Sequence, residues 1–165
     1  MSARTFLAAL LLVPALACAQ DSGFYAGLDI GYSHAGINTG DNEATAYGVH
    51  AGLFATPSFA FELGYRELGG FGRLDATALS LAGLWMIPMN DRLAAYLKVG
   101  IAQTDAEAGP VSDSRTAALV GIGAQYDLAR AVFGRASWER YPKVGGDKTG
   151  EGAIDVFALG VGLRF

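Results

Sequence analysis

Between residues 157 and 165 the chain alternates without interruption. Phe157, Leu159, Val161, Leu163 and Phe165 fall on one parity, and Ala158, Gly160, Gly162 and Arg164 on the other. A period of two places successive side chains on opposite faces of a strand, so this stretch reads as a β-strand with one bulky apolar face and one small or polar face. Seven further segments repeat the pattern, approximately at 24–34, 46–55, 59–68, 75–87, 93–105, 115–126 and 131–141, with the last at 154–165. Turn-forming breaks separate them. The breaks around Thr56-Pro57-Ser58, Pro88-Met89-Asn90-Asp91 and Asp127-Leu128-Ala129-Arg130 are tight. They alternate strictly with four longer ones, expected at 35–45, 69–74, 106–114 and 144–153 and rich in glycine, aspartate and asparagine. Pro57, Pro88, Pro110 and Pro142 all fall in a break or at a strand end, where a missing backbone donor does least harm.

Composition agrees with strands rather than helices. The chain carries 23 glycines in 165 residues, and each would cost a helix about 1 kcal/mol relative to alanine. The formal net charge is −4, which argues against nucleic acid as a partner. The first nineteen residues read as a cleavable export signal: Arg4 is a short basic head, residues 6–13 an apolar centre, and Ala17-Cys18-Ala19 a small-x-small cleavage site before Gln20. The domain that folds is therefore expected to be 20–165. Cys18 is the sole cysteine, so cleavage after Ala19 leaves no thiol and no disulfide. Ala15-Leu16-Ala17-Cys18 also resembles a lipoprotein processing site, in which Cys18 would instead be acylated and kept.

The same parity extends around the chain. One face collects Leu28, Ile30, Val49, Leu63, Leu81, Val99, Ile101, Ile122 and their neighbours. The other collects Gly27, Asp29, Gly48, His50, Glu62, Gly64, Arg66, Ser80, Lys98, Gly100, Gly121, Gly123, Gln125, Arg135, Ser137 and Glu139. Eight strands close around an interior just wide enough for side chains. Glycines and a few charges fit there, but the bulky set does not. The bulky face must look outward, where water would forgo about 1.5–3 kcal/mol for each large side chain that could have been buried. Lipid is the solvent that accepts it, and only a closed barrel lets strands cross lipid with every backbone group paired. The fold predicted is all-β, an eight-stranded antiparallel up-and-down transmembrane barrel. Aromatics on the lipid face gather at both strand ends, Phe59, Phe61, Trp85, Tyr126 and Phe165 near the tight turns and Tyr32, Tyr47, Tyr65 and Trp138 toward the longer loops, as two interfacial girdles.

With these features the chain resembles the small eight-stranded outer-membrane barrels typified by the OmpA transmembrane domain and OmpX. The resemblance is carried by Gly23-Phe24-Tyr25-Ala26-Gly27, Leu97-Lys98-Val99-Gly100, the stretch 121–127, and Leu159-Gly160-Val161-Gly162-Leu163-Arg164-Phe165. It implies export to the bacterial outer membrane, Phe165 as the signal read by the outer-membrane assembly machinery, and lipid and lipopolysaccharide as surroundings. It also implies an interior ion-pair network, expected to comprise Asp29, Glu62, Arg66, Lys98, Arg135, Glu139 and Arg164. With Phe165 as the last residue, the peptidoglycan-binding domain of full OmpA is expected to be absent, and the loops are expected to be short for the family, which argues against cell-wall tethering or loop-borne receptor roles.

Three functions follow as expectations. The first is a monomeric, non-catalytic barrel contributing to envelope integrity or surface interaction, without cofactor or metal. The second is a low-conductance pore gated by the network. The third, an enzyme acting on lipid A, needs a nucleophile and base together on the outer rim. Ser33 and His34 are adjacent in a strand, which points them to opposite faces. His50 is expected to be a hydrogen-bonded interior residue and His34 to sit at a loop edge. Glycine pairs at 121/123 and 160/162 lack the third glycine and the helix of a dinucleotide site. The four longer loops carry or adjoin Asp41, Glu43, Asp105, Glu107, Asp113, Asp147 and Glu151, which are expected to be solvated acids.

Overall fold

A computed structural model describes residues 23–36, 42–71, 74–108, 111–144 and 152–165. Residues 1–22, with Cys18 and the expected export signal, lie outside them, as do Asp41, Pro110, Asp147 and Glu151. Eight strands follow one another: β1 Phe24–Ala35, β2 Glu43–Thr56, β3 Phe59–Phe71, β4 Leu74–Pro88, β5 Leu93–Ala108, β6 Val111–Asp127, β7 Val132–Val144 and β8 Gly152–Arg164. Each pairs antiparallel with its sequence neighbours, and β1 pairs with β8 from Tyr25↔Arg164 to Ala35↔Ile154 to close the barrel. No described edge strand is left to be satisfied by water. The connection between β2 and β3 is the two residues Pro57 and Ser58. That between β4 and β5 is held by the Asn90 side chain, which accepts from the backbone N–H of Arg92 and of Leu93, both at 2.9 Å.

The parity assignment holds on every strand. Leu28, Ile30, Val49, Leu63, Leu81, Val99, Ile122 and Leu159 are all exposed on the outside, about half their surface or more uncovered. Glu62, Lys98, Arg135 and Glu139 are buried inside.

Two expectations are corrected. First, the strands run higher than the sequence suggested, to 16 residues in β5 and 17 in β6. Residues 106–108 and 111–114, read as loop, are strand, and β3 and β4 are separated only by 72–73. A crossing strand needs only about 9–11 residues. Above that height the outward positions become polar, as with Gln103, Asp105 and Glu107, while the inward ones stay small, as with Ala102, Thr104 and Ala106. Backbone pairing continues where the hydropathy alternation has died, which is why the sequence lost the strand. Glu43, Glu107 and Asp113, expected in the loops, are accordingly strand residues, while Asp105 lies in β5 as its segment predicted.

Second, the interior is not chiefly glycine and charge. Tyr25, Ala60, Ala82, Leu84, Met86, Tyr96 and Phe133 form one buried apolar cluster toward the tight-turn end. Leu68, Leu119, Tyr141, Val144, Ile154 and Val156, with seven alanines, form another toward the loop end. The glycines are the seats for these side chains: a Cβ at Gly52 would collide with the Tyr25 ring, at Gly123 with Tyr96, and at Gly162 with Phe133. Large residues on one strand facing small ones on the next is how a narrow barrel fills its interior. Gly69, at φ +100°, serves a different need: it lies at a bulge in the β3–β4 pairing, in a conformation L side chains rarely adopt.

Candidate functional site: a buried ion-pair chain between two apolar plugs

Between the two apolar clusters lies a layer of charge. Inward positions of β1, β3, β5 and β7 supply Asp29, Glu62, Arg66, Lys98, Arg135 and Glu139. The even-numbered strands face these charges largely with small residues: Gly48 and Gly160 border Asp29, and Gly121 borders Glu139.

The six side chains form one chain of alternating sign across the lumen. Asp29 Oδ1 accepts from Arg66 Nη2 at 2.7 Å. Arg66 Nη1 lies 3.2 Å from Glu139 Oε2, a distance for ion pairing without hydrogen-bond alignment. Lys98 Nζ stands between two carboxylates, 2.9 Å from Glu139 Oε1 and 3.0 Å from Glu62 Oε1. Arg135 Nη1 closes on Glu62 Oε2 at 2.6 Å. Three acids face three bases, so the layer is electrically neutral when all six are ionised.

Neutral groups finish the coordination. Tyr25 donates its hydroxyl to Glu62 Oε2 at 2.8 Å, and Tyr141 donates to Glu139 Oε2 at 2.9 Å. His50 Nδ1 lies 3.2 Å from Asp29 Oδ2, the interior placement expected for this histidine. The Arg135 guanidinium stacks among Tyr25, Tyr96 and Phe133, its carbon 5.1–5.6 Å from the three ring centroids. Desolvated cation–π contacts of this kind are worth up to about 2 kcal/mol. The phenol of Tyr96, His50 Nε2 and Arg135 Nε are buried without a hydrogen-bond partner. The void at the layer is about 10 Å³, hardly room for one water.

Arg164, grouped with the network in the sequence, does not reach it. It sits at the tight-turn mouth, paired with Asp127 at 2.7 Å and over the Phe133 ring, both partners of the ion pair partly exposed. Parity could assign Arg164 to the inside but not to a height.

Tyr25, Tyr96, Phe133 and Tyr141 were missed as parts of the site. Their signal was available: each lies two or four residues from an interior charge on the same strand, as Tyr96 does from Lys98 and Phe133 from Arg135. Of the residues expected in the girdles, Tyr32, Tyr47, Tyr65, Trp85 and Tyr126 are exposed, while Phe59, Trp138 and Phe165 are half-buried. Phe59 stands edge-on to Phe61 with centroids 5.0 Å apart. The Phe165 backbone N–H donates to the Phe24 carbonyl at 2.9 Å, which ties the two chain ends of the barrel together.

No cluster of metal-ligating side chains occurs among the described residues. Ser33 is buried and donates to the carbonyls of Ala44 and Leu68, whereas His34 is exposed on the opposite face, so the two do not form a dyad.

Solved structures share this architecture. Neisserial surface protein A superposes with a TM-score of 0.73 at 16 % identity, over 87 % of this chain and 98 % of that one. The N-terminal β-barrel domain of Pseudomonas aeruginosa OprF gives 0.63 at 21 %, over 88 % and 100 %. The outer-membrane enzyme PagL gives 0.54 at 16 %, over 86 % and 99 %. At these identities the likeness is one of fold. No individually curated protein matches the chain in sequence. The sequence profile described as outer membrane protein beta-barrel domain, however, matches residues 5–165. The closed eight-stranded barrel, its apolar coat and that match place the chain in the outer-membrane β-barrel domain family, as a protein of the bacterial outer membrane.

Proposed function

We propose that the protein is a non-conducting, non-catalytic monomeric barrel that contributes to envelope structure or to interactions at the cell surface. One observation carries the reading: a neutral, cross-linked charge layer between two apolar plugs, with about 10 Å³ left unfilled. An ion crossing the lumen would have to displace Leu84 and Phe133 on one side and Leu68 and Leu119 on the other, and break ion pairs between them. Breaking a buried pair costs about 3–5 kcal/mol. A gated pore would require the chain of pairs to exchange partners and both plugs to move together. The separation of Ser33 from His34 by the barrel wall supports a role without lipid hydrolysis.

Liposome swelling with small solutes, together with planar-bilayer recording, tests this. The expected result is no swelling above protein-free vesicles and no steps, both for the native barrel and for Glu62→Ala. Discrete conductance that changes in Glu62→Ala would replace the reading with the gated pore. Altered lipid A on expression, seen by mass spectrometry, would replace it with an enzyme.

A further inference from the structure

Every strand of the barrel has a neighbour on both sides, but β6 is not paired over its whole length. Its ladder to β5 runs unbroken from Leu93↔Tyr126 to Ala108↔Val111, whereas its ladder to β7 stops at Val120↔Arg140. The cause lies in β7. Continued upward, the register would set Pro142 opposite Ala118 and Val144 opposite Thr116, and proline has no N–H to give the Ala118 carbonyl. β7 turns inward instead. The Lys143 carbonyl accepts from the buried Thr104 hydroxyl at 3.3 Å, and Val144 is fully buried in the apolar cluster at the loop end.

The edge this leaves has defined donors and acceptors. Asp127 directs its N–H to the Arg92 carbonyl on the β5 side at 2.8 Å, so odd-numbered residues of β6 serve β5 and even-numbered ones the β7 side. Above Val120 the even-numbered residues are Ser112, Ser114, Thr116 and Ala118, and no described residue pairs with them on that side. Their side chains are exposed and short, so β6 does not shield its own backbone there. Ser112, Ser114 and Thr116 stand above the apolar coat, directly across from Glu107, Asp105 and Gln103 of β5. Asp75 and Glu67 continue this acidic wall on β4 and β3, and among the described residues of β3–β6 no outward lysine or arginine interrupts it at this height.

We propose that this edge takes an extended basic segment of another polypeptide, added antiparallel to β6 over residues 112–118 in the place that β7 vacates. An unpaired strand edge is a template for such addition, with main-chain hydrogen bonds supplying the affinity. Alternate residues of the added strand share the outer face with Ser112 and Ser114. A lysine there reaches over these short side chains toward Asp105 and Glu107, about 10 Å away at two strand spacings. Such a partner specifies the surface-interaction role proposed above, on which this site rests.

Binding of a labelled peptide that alternates lysine and threonine, long enough to span 112–118, tests it on the barrel folded into phosphatidylcholine vesicles. In the antiparallel arrangement the lysine amides face β6 and the threonine amides face away. The peptide is expected to bind above protein-free vesicles, and equally well when N-methylated at its threonines. N-methylation at its lysines, which leaves the charge intact, should weaken binding at least about tenfold. Thr116→Pro removes an edge N–H that β5 does not use and should cost as much, while Asp105→Asn combined with Glu107→Gln should weaken binding several-fold. Equal binding of the two methylated peptides overturns the proposal, as does binding that survives Thr116→Pro in a barrel of native gel mobility. No binding above protein-free vesicles overturns it too, since the edge is then covered by the chain itself. A barrel that conducts but still binds the peptide would refute the non-conducting reading alone, and a silent barrel that does not bind it would refute this site alone.

Discussion

Glu62→Gln isolates the energetics of the charge layer with little change of shape. Glu62 is 1 % exposed, accepts hydrogen bonds from the Tyr25 hydroxyl and Arg135 Nη1, and is ion-paired with Lys98 Nζ. The amide keeps the volume but removes the charge and turns one acceptor into a donor that faces Arg135 or Lys98. Asp29 and Glu139 then stand against Arg66, Lys98 and Arg135, an unbalanced positive charge in a space with hardly room for one water. Removing one partner of such a set costs about 3–5 kcal/mol, which is roughly two to three and a half decades in the unfolding equilibrium at about 1.4 kcal/mol per decade. Urea titration of the barrel in vesicles, read by far-ultraviolet dichroism and by gel mobility without heating, measures it. Lys98→Met should cost a similar amount. In the double variant two acids again face two bases, so its loss should fall short of the sum by about 0.5–3 kcal/mol, the usual coupling between contacting residues. Arg164→Gln provides the contrast: its pair with Asp127 is partly solvated, and such pairs are worth at most about 1 kcal/mol. A loss below about 1 kcal/mol for Glu62→Gln would refute the argument. So would strict additivity in the double variant, because the charges would then not be acting as one unit.

Two further outcomes follow from the packing. Gly162→Ala drives a methyl into the Phe133 ring and should destabilise by about 1–3 kcal/mol, with Phe133→Leu in the same chain recovering much of the loss; the same urea titration decides it. Leu159→Arg, in the apolar coat, should cost about 2–4 kcal/mol, while Gln103→Arg, at the polar boundary, should cost about 0–1; equal costs would mean that the membrane band is misplaced.

The sequence by itself determined which face of each strand meets lipid, and through that the closed eight-stranded barrel. The reason is that side-chain alternation is local: Leu159 and Gly160 point apart wherever β8 is placed. It also collected Glu62, Lys98, Arg135 and Glu139 on one face, since parity alone puts them inside. It did not pair them. Which cation meets which carboxylate depends on the register of strands around the ring and on the height of each residue in the lumen. Those heights were set only when β1 closed on β8. The same closure left Arg164 at the mouth with Asp127, and it gave Tyr25, Tyr96 and Phe133 their glycine seats on neighbouring strands. Strand length was likewise a tertiary outcome: above the lipid, backbone pairing holds β5 and β6 together although the hydropathy of their residues no longer alternates.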